Sequence, residues 1–411
     1  MSQKPQRIIT CTGTAQLLSA LAALAHSAQN PSLDGLEGEN TLVIYDLFAP
    51  PGQIETFRHA VSQIAGQLLP WKAQVYLPKQ QIDSFYRRGR SLFAGNLFHD
   101  IRNAVGLDRA DELYLSRNWQ TGNLVVLNAF PEAERICYGD GLGLYYSEQY
   151  HEQAFAARAP APAGGWQKWS AEFHKWRRVF KSRLTPNRWI SRPCSRGCFL
   201  SATALGETPP LPFSEIPPRI FLGLLRKLTG LLSQGVRERV QRFASGAPLV
   251  ILLSSNFSEA KKMSLESELA AYRELFGKLG FSKQSRLLIK PHPRDSSEKI
   301  ALLRQAAEPF FSGTLALDDE PLFCLPFELF LLGALLDEKG VRLGPLEIIA
   351  GSTAAISIHR LFGLKPRLAF GADLARKYFY PHYAEQRLRH EKDLALALAH
   401  PNFASGAASR L

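Results

Sequence analysis

The sequence predicts an α/β protein with two domains, each built around a parallel sheet. The chain has 411 residues, which exceeds the size at which one hydrophobic core usually stops growing. Short apolar runs alternate with amphipathic segments in residues 1–150 and again from Pro248 onward. This alternation is typical of βαβ units, in which helices connect parallel strands. The composition, with 45% hydrophobic and 21% charged residues, excludes a disordered or fibrous chain.

The first block, residues 1–150, has six apolar runs of strand length. The predicted strands are residues 8–11, 41–47, 73–77, 112–115, 124–128 and 135–138. Between them lie longer segments with apolar residues at helical spacing, such as residues 53–69. We therefore expect a first Rossmann-like domain over residues 1–150.

The beginning of the chain allows two interpretations. Lys4 and Arg7, followed by apolar residues 17–25, resemble a short signal peptide. Alternatively, residues 7–11 form a buried strand that leads through a glycine turn into an amphipathic helix from about Ala15. We expect the second arrangement, because it gives every residue a structural place. No apolar run is long enough to predict a transmembrane helix.

The second block has four further strand patterns and forms a domain over residues 247–411. The predicted strands are residues 249–253, 286–290, 347–350 and 367–370, with helices over residues 264–279 and 357–362 among the intervening segments. Two such halves suggest two Rossmann-like domains that face a cleft. Ligands of this architecture bind at the carboxyl ends of the strands.

Residues 151–246 differ in composition and are predicted to be an insertion or interdomain connection. Residues 166–196 contain nine Lys and Arg residues, one acidic residue and four of the six tryptophans. The whole chain also carries a formal charge of +12. These features favour contact with an anionic membrane face or an acidic acceptor glycan over a solvated basic insertion. Nucleic acid is not expected as a partner, because no nucleic-acid module is recognisable.

The five cysteines are too few and too scattered for a disulfide framework, which favours a reducing compartment. Cys11, Cys137 and Cys324 lie in apolar runs and are expected in the core. Cys194 and Cys198 do not form the paired doublets of a zinc site, so we expect no metal.

Three short motifs follow predicted strands, where loops of a parallel sheet carry function. The first is Gly139-Asp140-Gly141, which places one carboxylate between glycines. An exposed and closely approachable carboxylate suits a general base. A turn in which Asp140 binds local amides would explain the same residues.

The second motif is Lys290-Pro291-His292-Pro293-Arg294. Two prolines stiffen the backbone on both sides of His292, and two cations flank it. An imidazole in this setting suits a phosphate, to which it can donate a hydrogen bond or a proton. A loop histidine with solvated basic neighbours is the alternative.

The third motif is Gly351-Ser352-Thr353, which follows a strand and leads into a helix. Free amides and two hydroxyls at a helix N-terminus can bind an anion. An ordinary Ser or Thr helix cap would leave the same pattern.

Taken in this order, the three motifs resemble those of bacterial sialyltransferases, in particular the polysialyltransferase-like group. That family carries an acidic Asp/Glu-Asp/Glu-Gly motif, then a His-Pro motif and then a Ser/Thr motif. Here they match Gly139-Asp140-Gly141, His292-Pro293 and Ser352-Thr353. The first acidic position is a glycine in this chain, so only Asp140 can supply the base. Leu325-Pro326-Phe327-Glu328 also resembles an element of the nucleotide half of these enzymes.

The resemblance implies a GT-B glycosyltransferase that moves sialic acid from CMP-sialic acid to a hydroxyl of a glycan or glycolipid. It would act with inversion and without a metal or other cofactor. Asp140 and His292 would be catalytic. The candidates for binding the CMP or its phosphate, with the weakest named last, are Lys290, Pro293, Ser352, Thr353, Glu328, Ser254 and Ser255. The expected location is the cytoplasm, with peripheral contact to the inner membrane face through residues 166–196.

Two other functions remain open from the sequence. One is a transferase that uses another activated donor, such as CMP-Kdo, in cell-surface polysaccharide synthesis. The other is a noncatalytic protein that binds glycan or nucleic acid and keeps the fold. Binding of CMP would distinguish the enzymes from the noncatalytic protein.

Overall fold

The structure is a computed structural model that describes part of the chain. The described residues are 4–36, 38–45, 49, 52–117, 120–139, 187–190, 192–201, 211–319, 322–336 and 344–399. Asp140 and most of the basic segment 166–196 lie outside them.

The first sheet has seven parallel strands in the order β3-β2-β1-β4-β5-β6-β7. They are β1 (Gln6–Cys11), β2 (Glu39–Tyr45), β3 (Ala73–Leu77), β4 (Glu112–Leu115), β5 (Glu134–Gly139), β6 (Arg196–Phe199) and β7 (Phe213–Glu215). The order reverses between β1 and β4, which creates the switch point where ligands bind in open α/β sheets.

Five helices of the described residues accompany this sheet. They are α1 (Thr14–Ser27), α2 (Ile54–Leu68), α3 (Lys79–Arg88), α4 (Leu97–Val105) and α5 (Thr121–Ala129). Helix α1 is rich in Ala and Leu, and nine of its fourteen residues are buried. The predicted strand and helix at the start of the chain are therefore confirmed, and α1 is part of the core.

The predicted strand over residues 124–128 is wrong, because these residues lie in α5. A short, continuous apolar run has no periodicity that separates a strand from a buried helix. Tertiary contacts decide the matter here. Asn123 accepts a hydrogen bond from the Thr10 hydroxyl at 2.8 Å and donates one to the Arg117 carbonyl at 2.7 Å.

The first sheet continues beyond the predicted domain limit at residue 150. Strand β6 pairs with β5, and β7 pairs with β6. Both strands fall in the stretch predicted to be a connection, so part of that stretch completes the N-terminal domain. Helices α6 (Pro218–Leu228) and α7 (Gln234–Ala244) then lead to the second sheet.

The second sheet has five parallel strands in the order β10-β9-β8-β11-β12. They are β8 (Leu249–Leu253), β9 (Arg286–Lys290), β10 (Gly313–Ala316), β11 (Leu346–Ala350) and β12 (Arg367–Leu368). Its helices are α8 (Leu265–Leu279), α9 (Ser297–Ala307), α10 (Phe327–Phe330), α11 (Ala354–Phe362), α12 (Gly371–Tyr378) and α13 (Pro381–Ala399). Strand β10 was not predicted, and β12 is shorter than predicted.

The two domains share a continuous apolar core, to which both sheets and α6 contribute. Polar contacts also cross the junction. The Thr14 hydroxyl donates to the Cys324 carbonyl at 2.7 Å, and Arg360 pairs with Glu215 at 2.9 Å. Two Rossmann-like domains with a crevice between them constitute the GT-B architecture, which confirms the predicted fold class.

Cys11, Cys137 and Cys324 are buried, as predicted, and none of the five cysteines forms a disulfide in the described part of the chain. Within the described ranges, no helix combines the length and the hydropathy that crossing a membrane requires.

Candidate active site

A crevice of about 460 Å³ lies between the two domains. Both sheets contribute to it through the carboxyl ends of their strands, together with the start of α1 and the residues that precede α11. Its volume lies in the range of ordinary small-molecule sites. The position is the one that the fold predicts for a ligand.

The N-terminal wall of the crevice is formed by the start of α1 and by the ends of β4, β5 and β6. Gln16, Ser116, Arg117 and Tyr138 line it. Arg117 is the one charged side chain that the described residues of this domain contribute to the lining. The Gln16 side chain accepts a hydrogen bond from the Thr12 amide at 3.0 Å, which fixes the turn between β1 and α1.

Gly139, the last residue of β5, lines the crevice next to the predicted base. Asp140 itself lies outside the described residues. Gly139 has a φ of +153°, in the region that side chains with L configuration rarely adopt. A glycine therefore suits this backbone, which gives a physical reason for the departure from an acidic residue at the first motif position.

His292 lines the opposite wall and is held by its own loop. Its backbone N–H donates to the Ser254 hydroxyl at 2.7 Å and to an Asp295 carboxylate oxygen at 2.8 Å. Its ring Nδ1 accepts the backbone N–H of Arg294 at 3.1 Å. Because Nδ1 is an acceptor, the proton of the neutral ring is carried by Nε2.

The His292 imidazole is neutral in the free protein at neutral pH. Burial lowers its pKa to about 3, with a further contribution from the positive charge of Arg294. The ring is thus a donor through Nε2–H and carries no charge of its own. An anion that entered the crevice would raise its pKa again, because opposite charge favours the protonated form.

A buried ionic cluster supports the His292 loop. The Asp295 carboxylate accepts a hydrogen bond from the Lys299 ammonium at 2.9 Å. Lys299 also forms ion pairs with Glu268 at 2.8 Å and with Glu259 at 3.0 Å. Burial lowers the pKa of Lys299, but Asp295 and Glu268 outweigh that effect and raise it above its usual value. The Asp295 carboxylate is therefore fixed in the position from which it binds the His292 amide.

Lys290, the last residue of β9, also lines the crevice. Its ammonium donates to the Phe323 carbonyl at 2.6 Å. Burial lowers its pKa to about 8, so the amine still binds a proton at pH 7. Lys290 thus ties β9 to the turn before α10 and adds a positive charge beside His292.

Ser352 and Thr353 line the crevice directly before α11, and both are half-buried. The Thr353 hydroxyl does not cap the helix. The amides at a helix N-terminus have no partner within the helix and attract negative charge. The predicted anion-binding motif therefore lies in the same crevice as the predicted His-Pro motif, in which Pro293 is a further lining residue.

Glu328 in α10 lines the crevice and accepts a hydrogen bond from the Ser357 hydroxyl. Ser357 belongs to the first turns of α11 and is itself a lining residue. This contact places a carboxylate beside the helix N-terminus that carries Ser352 and Thr353.

The two serines after β8 have different positions. Ser254 lines the crevice and donates to Asp295, so it takes part in holding the His292 loop. Ser255 is buried and is not one of the described residues that line the crevice. Its amide donates to the Tyr272 hydroxyl at 3.2 Å, and its carbonyl accepts from Lys299 at 2.6 Å. The predicted contact of Ser255 with the nucleotide-sugar donor stays a prediction.

Sequence reasoning missed several residues that shape the site. Thr14 and Arg117 line the crevice without belonging to any recognisable motif. Asp295 follows the His-Pro motif by two residues, and this proximity was the available signal for it. Ser357 could have been found from its position one turn after Ser352-Thr353.

The described residues contain no cluster of three or more His, Cys, Asp or Glu side chains arranged to hold a metal ion. The polar groups of the crevice are mainly hydrogen-bond donors and cations, and such groups suit an anionic ligand.

A protein-family model provides the decisive comparison. Residues 111–323 match the model of the alpha-2,8-polysialyltransferase (POLYST) family. The match covers more than half of the chain and includes Asp140 and His292-Pro293. The chain belongs to this family. It is accordingly a member of a glycosyltransferase family, as the resemblance predicted. The matched residues include the first two motifs, whereas Ser352-Thr353 lies beyond them. A search of curated proteins finds no significant match.

Solved structures resemble the chain at low sequence identity. MnaA of S. aureus with UDP is 9% identical, with a TM-score of 0.48 over 99% of this chain and 94% of that one. Spinosyn rhamnosyltransferase SpnG with thymidine diphosphate is 14% identical, with a TM-score of 0.41 over 99% and 95%. E. coli heptosyltransferase WaaC with ADP is 13% identical, with a TM-score of 0.36 over 87% and 84%. The fold assignment rests on the strand order and the crevice.

Proposed function

We propose that the protein is an inverting, metal-independent sialyltransferase that moves sialic acid from CMP-sialic acid to a hydroxyl of a glycan or glycolipid. The observation that carries the proposal is the composition of the crevice. The His292 loop and the N-terminus of α11 lie on one side, and the end of β5, just before Asp140, lies on the other. Family membership supports the same reaction class.

The C-terminal wall suits the departing nucleotide. Cleavage of the bond to the anomeric carbon leaves negative charge on the CMP phosphate. The Nε2–H of His292, the hydroxyls of Ser352 and Thr353 and the N-terminus of α11 would stabilise that charge as it develops. Lys290 would add a positive charge nearby, and Glu328 would accept hydrogen bonds from ribose hydroxyls.

The N-terminal wall suits the acceptor. Asp140 would accept the proton of the acceptor hydroxyl as its oxygen attacks the anomeric carbon. One displacement on the face opposite the leaving group inverts the configuration at that carbon. The hydrogen-bond donors of the C-terminal wall can stabilise a monophosphate leaving group without a divalent cation.

We further propose that the protein acts in the cytoplasm at the inner face of the membrane. The support is the cationic, Trp-rich segment 166–196, whose charge suits anionic headgroups or an acidic acceptor. Most of this segment lies outside the described residues.

Calorimetric titration of CMP, UDP and a short oligonucleotide tests the donor class. We expect CMP to bind, and His292→Ala to weaken its binding by a factor of about 10 to 100, because a hydrogen bond to a charged oxygen is lost. A preference for UDP would contradict the proposed donor. Oligonucleotide binding with a steep salt dependence, without CMP binding, would instead support a noncatalytic nucleic-acid-binding protein.

A further inference from the structure

A buried ion pair lies directly behind the Ser-Thr motif. Arg387 and Glu391, one turn apart on α13, are 6% and 7% exposed. The guanidinium donates to one Glu391 oxygen through Nε at 2.8 Å and through Nη2 at 2.6 Å. The other Glu391 oxygen accepts the Gly371 amide at 2.7 Å. Contacts to both of its oxygens therefore fix the Glu391 carboxylate, and this carboxylate fixes the guanidinium.

The remaining nitrogen of the guanidinium, Nη1, contacts the loop that carries Gly351-Ser352-Thr353. Arg387 Nη1 donates to the carbonyl of Gly351 at 2.6 Å. The guanidinium also lies over the Phe257 ring, with Cζ 5.1 Å from its centroid. These contacts leave Arg387 little freedom to move away from the loop.

Gly351 is the residue that permits this close approach. A Cβ at position 351 would lie 3.1 Å from Arg387 Nη2, 3.1 Å from Ser255 Oγ and 3.4 Å from the Ala369 Cβ. The two distances of 3.1 Å are tighter than ordinary van der Waals contacts. The absence of a side chain therefore lets the backbone carbonyl meet the guanidinium.

The geometry of the peptide bond relates this contact to the crevice. In a trans peptide, the C=O of one residue and the N–H of the next point in opposite directions. Arg387 holds the Gly351 carbonyl toward the buried interior, so the Ser352 N–H is directed away from it. Ser352 lines the crevice, and its amide precedes α11 and has no partner within that helix.

We propose that Arg387, held by Glu391, is a positioning residue that aims the Ser352 amide at the phosphate of the nucleotide. This inference rests on the proposed function, since it assigns the phosphate to this loop. A buried ion pair stabilises a fold little compared with apolar residues of the same size. Positioning gives a physical reason to keep one here.

The affinities of CMP and cytidine, measured by calorimetry, separate positioning from stability. Cytidine lacks the phosphate, so the ratio of the two affinities reports the phosphate contacts alone. In Arg387→Lys, the charge is kept but one ammonium cannot replace the guanidinium fork. We expect the ratio to fall about tenfold, as for one lost hydrogen bond to a charged group. Cytidine affinity should stay unchanged.

A double variant that removes both charges controls for misfolding caused by a buried, unpaired charge. Arg387→Met combined with Glu391→Gln removes the guanidinium but keeps an acceptor for the Gly371 amide, and the same fall in the ratio is expected. The matched control is Arg367→Met, which breaks an exposed ion pair with Glu347 in the same domain. It should leave the ratio unchanged.

An equal loss of CMP and cytidine affinity, or no loss of either, would overturn the inference. Unfolding of both variants would do the same, because it would assign the pair to stability. If the wild-type protein bound CMP no better than cytidine, the proposed donor class itself would fail, which is a separate and recognisable result.

Discussion

At the scale of single residues, the protonation of His292 follows from its loop. The Arg294 amide donates a hydrogen bond to Nδ1, and burial disfavours the imidazolium. The ring is therefore a fixed Nε2–H donor before any ligand arrives. An enzyme that must stabilise a phosphate oxygen benefits from such a donor, because no reorganisation is needed when the charge develops.

We expect the His292 ring of the free protein to show no titration between pH 8 and pH 5. Its pKa of about 3 lies well below this window, so the neutral form persists throughout. Nitrogen-detected NMR of the histidine side chains measures both the tautomer and the midpoint. His292→Gln serves to assign the signal. A midpoint near 6.5, or a proton on Nδ1, would contradict the account.

The lowered pKa of His292 also makes the stability of the folded protein sensitive to acid. Its pKa is lower in the folded than in the unfolded chain, so the unfolded chain binds the proton first as the pH falls. The folded state is thereby disfavoured by His292 once the pH drops below about 6.5.

At the scale of elements, the loops that follow strands could be predicted, and several elements could not. Strands β8, β9 and β11 are apolar runs that end at polar motifs, and both signals are local. Residues 124–128 are equally apolar, yet their helical state depends on the packing of α5 against the sheet. Strand β7 has three residues and owes its existence to pairing with β6, which no local pattern records.

The packing of α5 leads to a prediction on stability. A Cβ at Gly122 would lie 2.2 Å from two ring carbons of Tyr45, which is fully buried, so the ring or the helix would have to shift. Gly122→Ala should therefore lower the free energy of unfolding by about 1–3 kcal/mol, as overpacking does.

The matched control is Gly66→Ala in α2, where nothing beyond the adjacent residues and the helix's own backbone lies within 4 Å of the added methyl group. This substitution should raise the free energy of unfolding by about 0.5–1 kcal/mol, since alanine favours the helix. Urea denaturation of both variants measures the difference. A stable Gly122→Ala protein would show that α5 packs differently.

At the scale of the whole molecule, the two sheets direct their carboxyl ends toward one crevice. The shared core and the Arg360–Glu215 contact hold the domains together around it. The sequence was sufficient to predict this arrangement because each half carries its own alternating pattern. It was insufficient to predict the residues that support the site, such as Asp295 and Arg387. The contacts that bring them to the site, with Ser254 and with the Gly351 carbonyl, join segments that are far apart in the chain.

The central claim is that acceptor and donor are activated from opposite domains. Turnover of CMP-sialic acid with a panel of glycans, measured beside CMP affinity in Asp140→Asn, tests it most directly. We expect CMP affinity close to that of the wild type, because Asp140 would act on the acceptor. Turnover should fall by a factor of about 100 or more, as loss of a general base does. Unchanged turnover in Asp140→Asn would contradict the account.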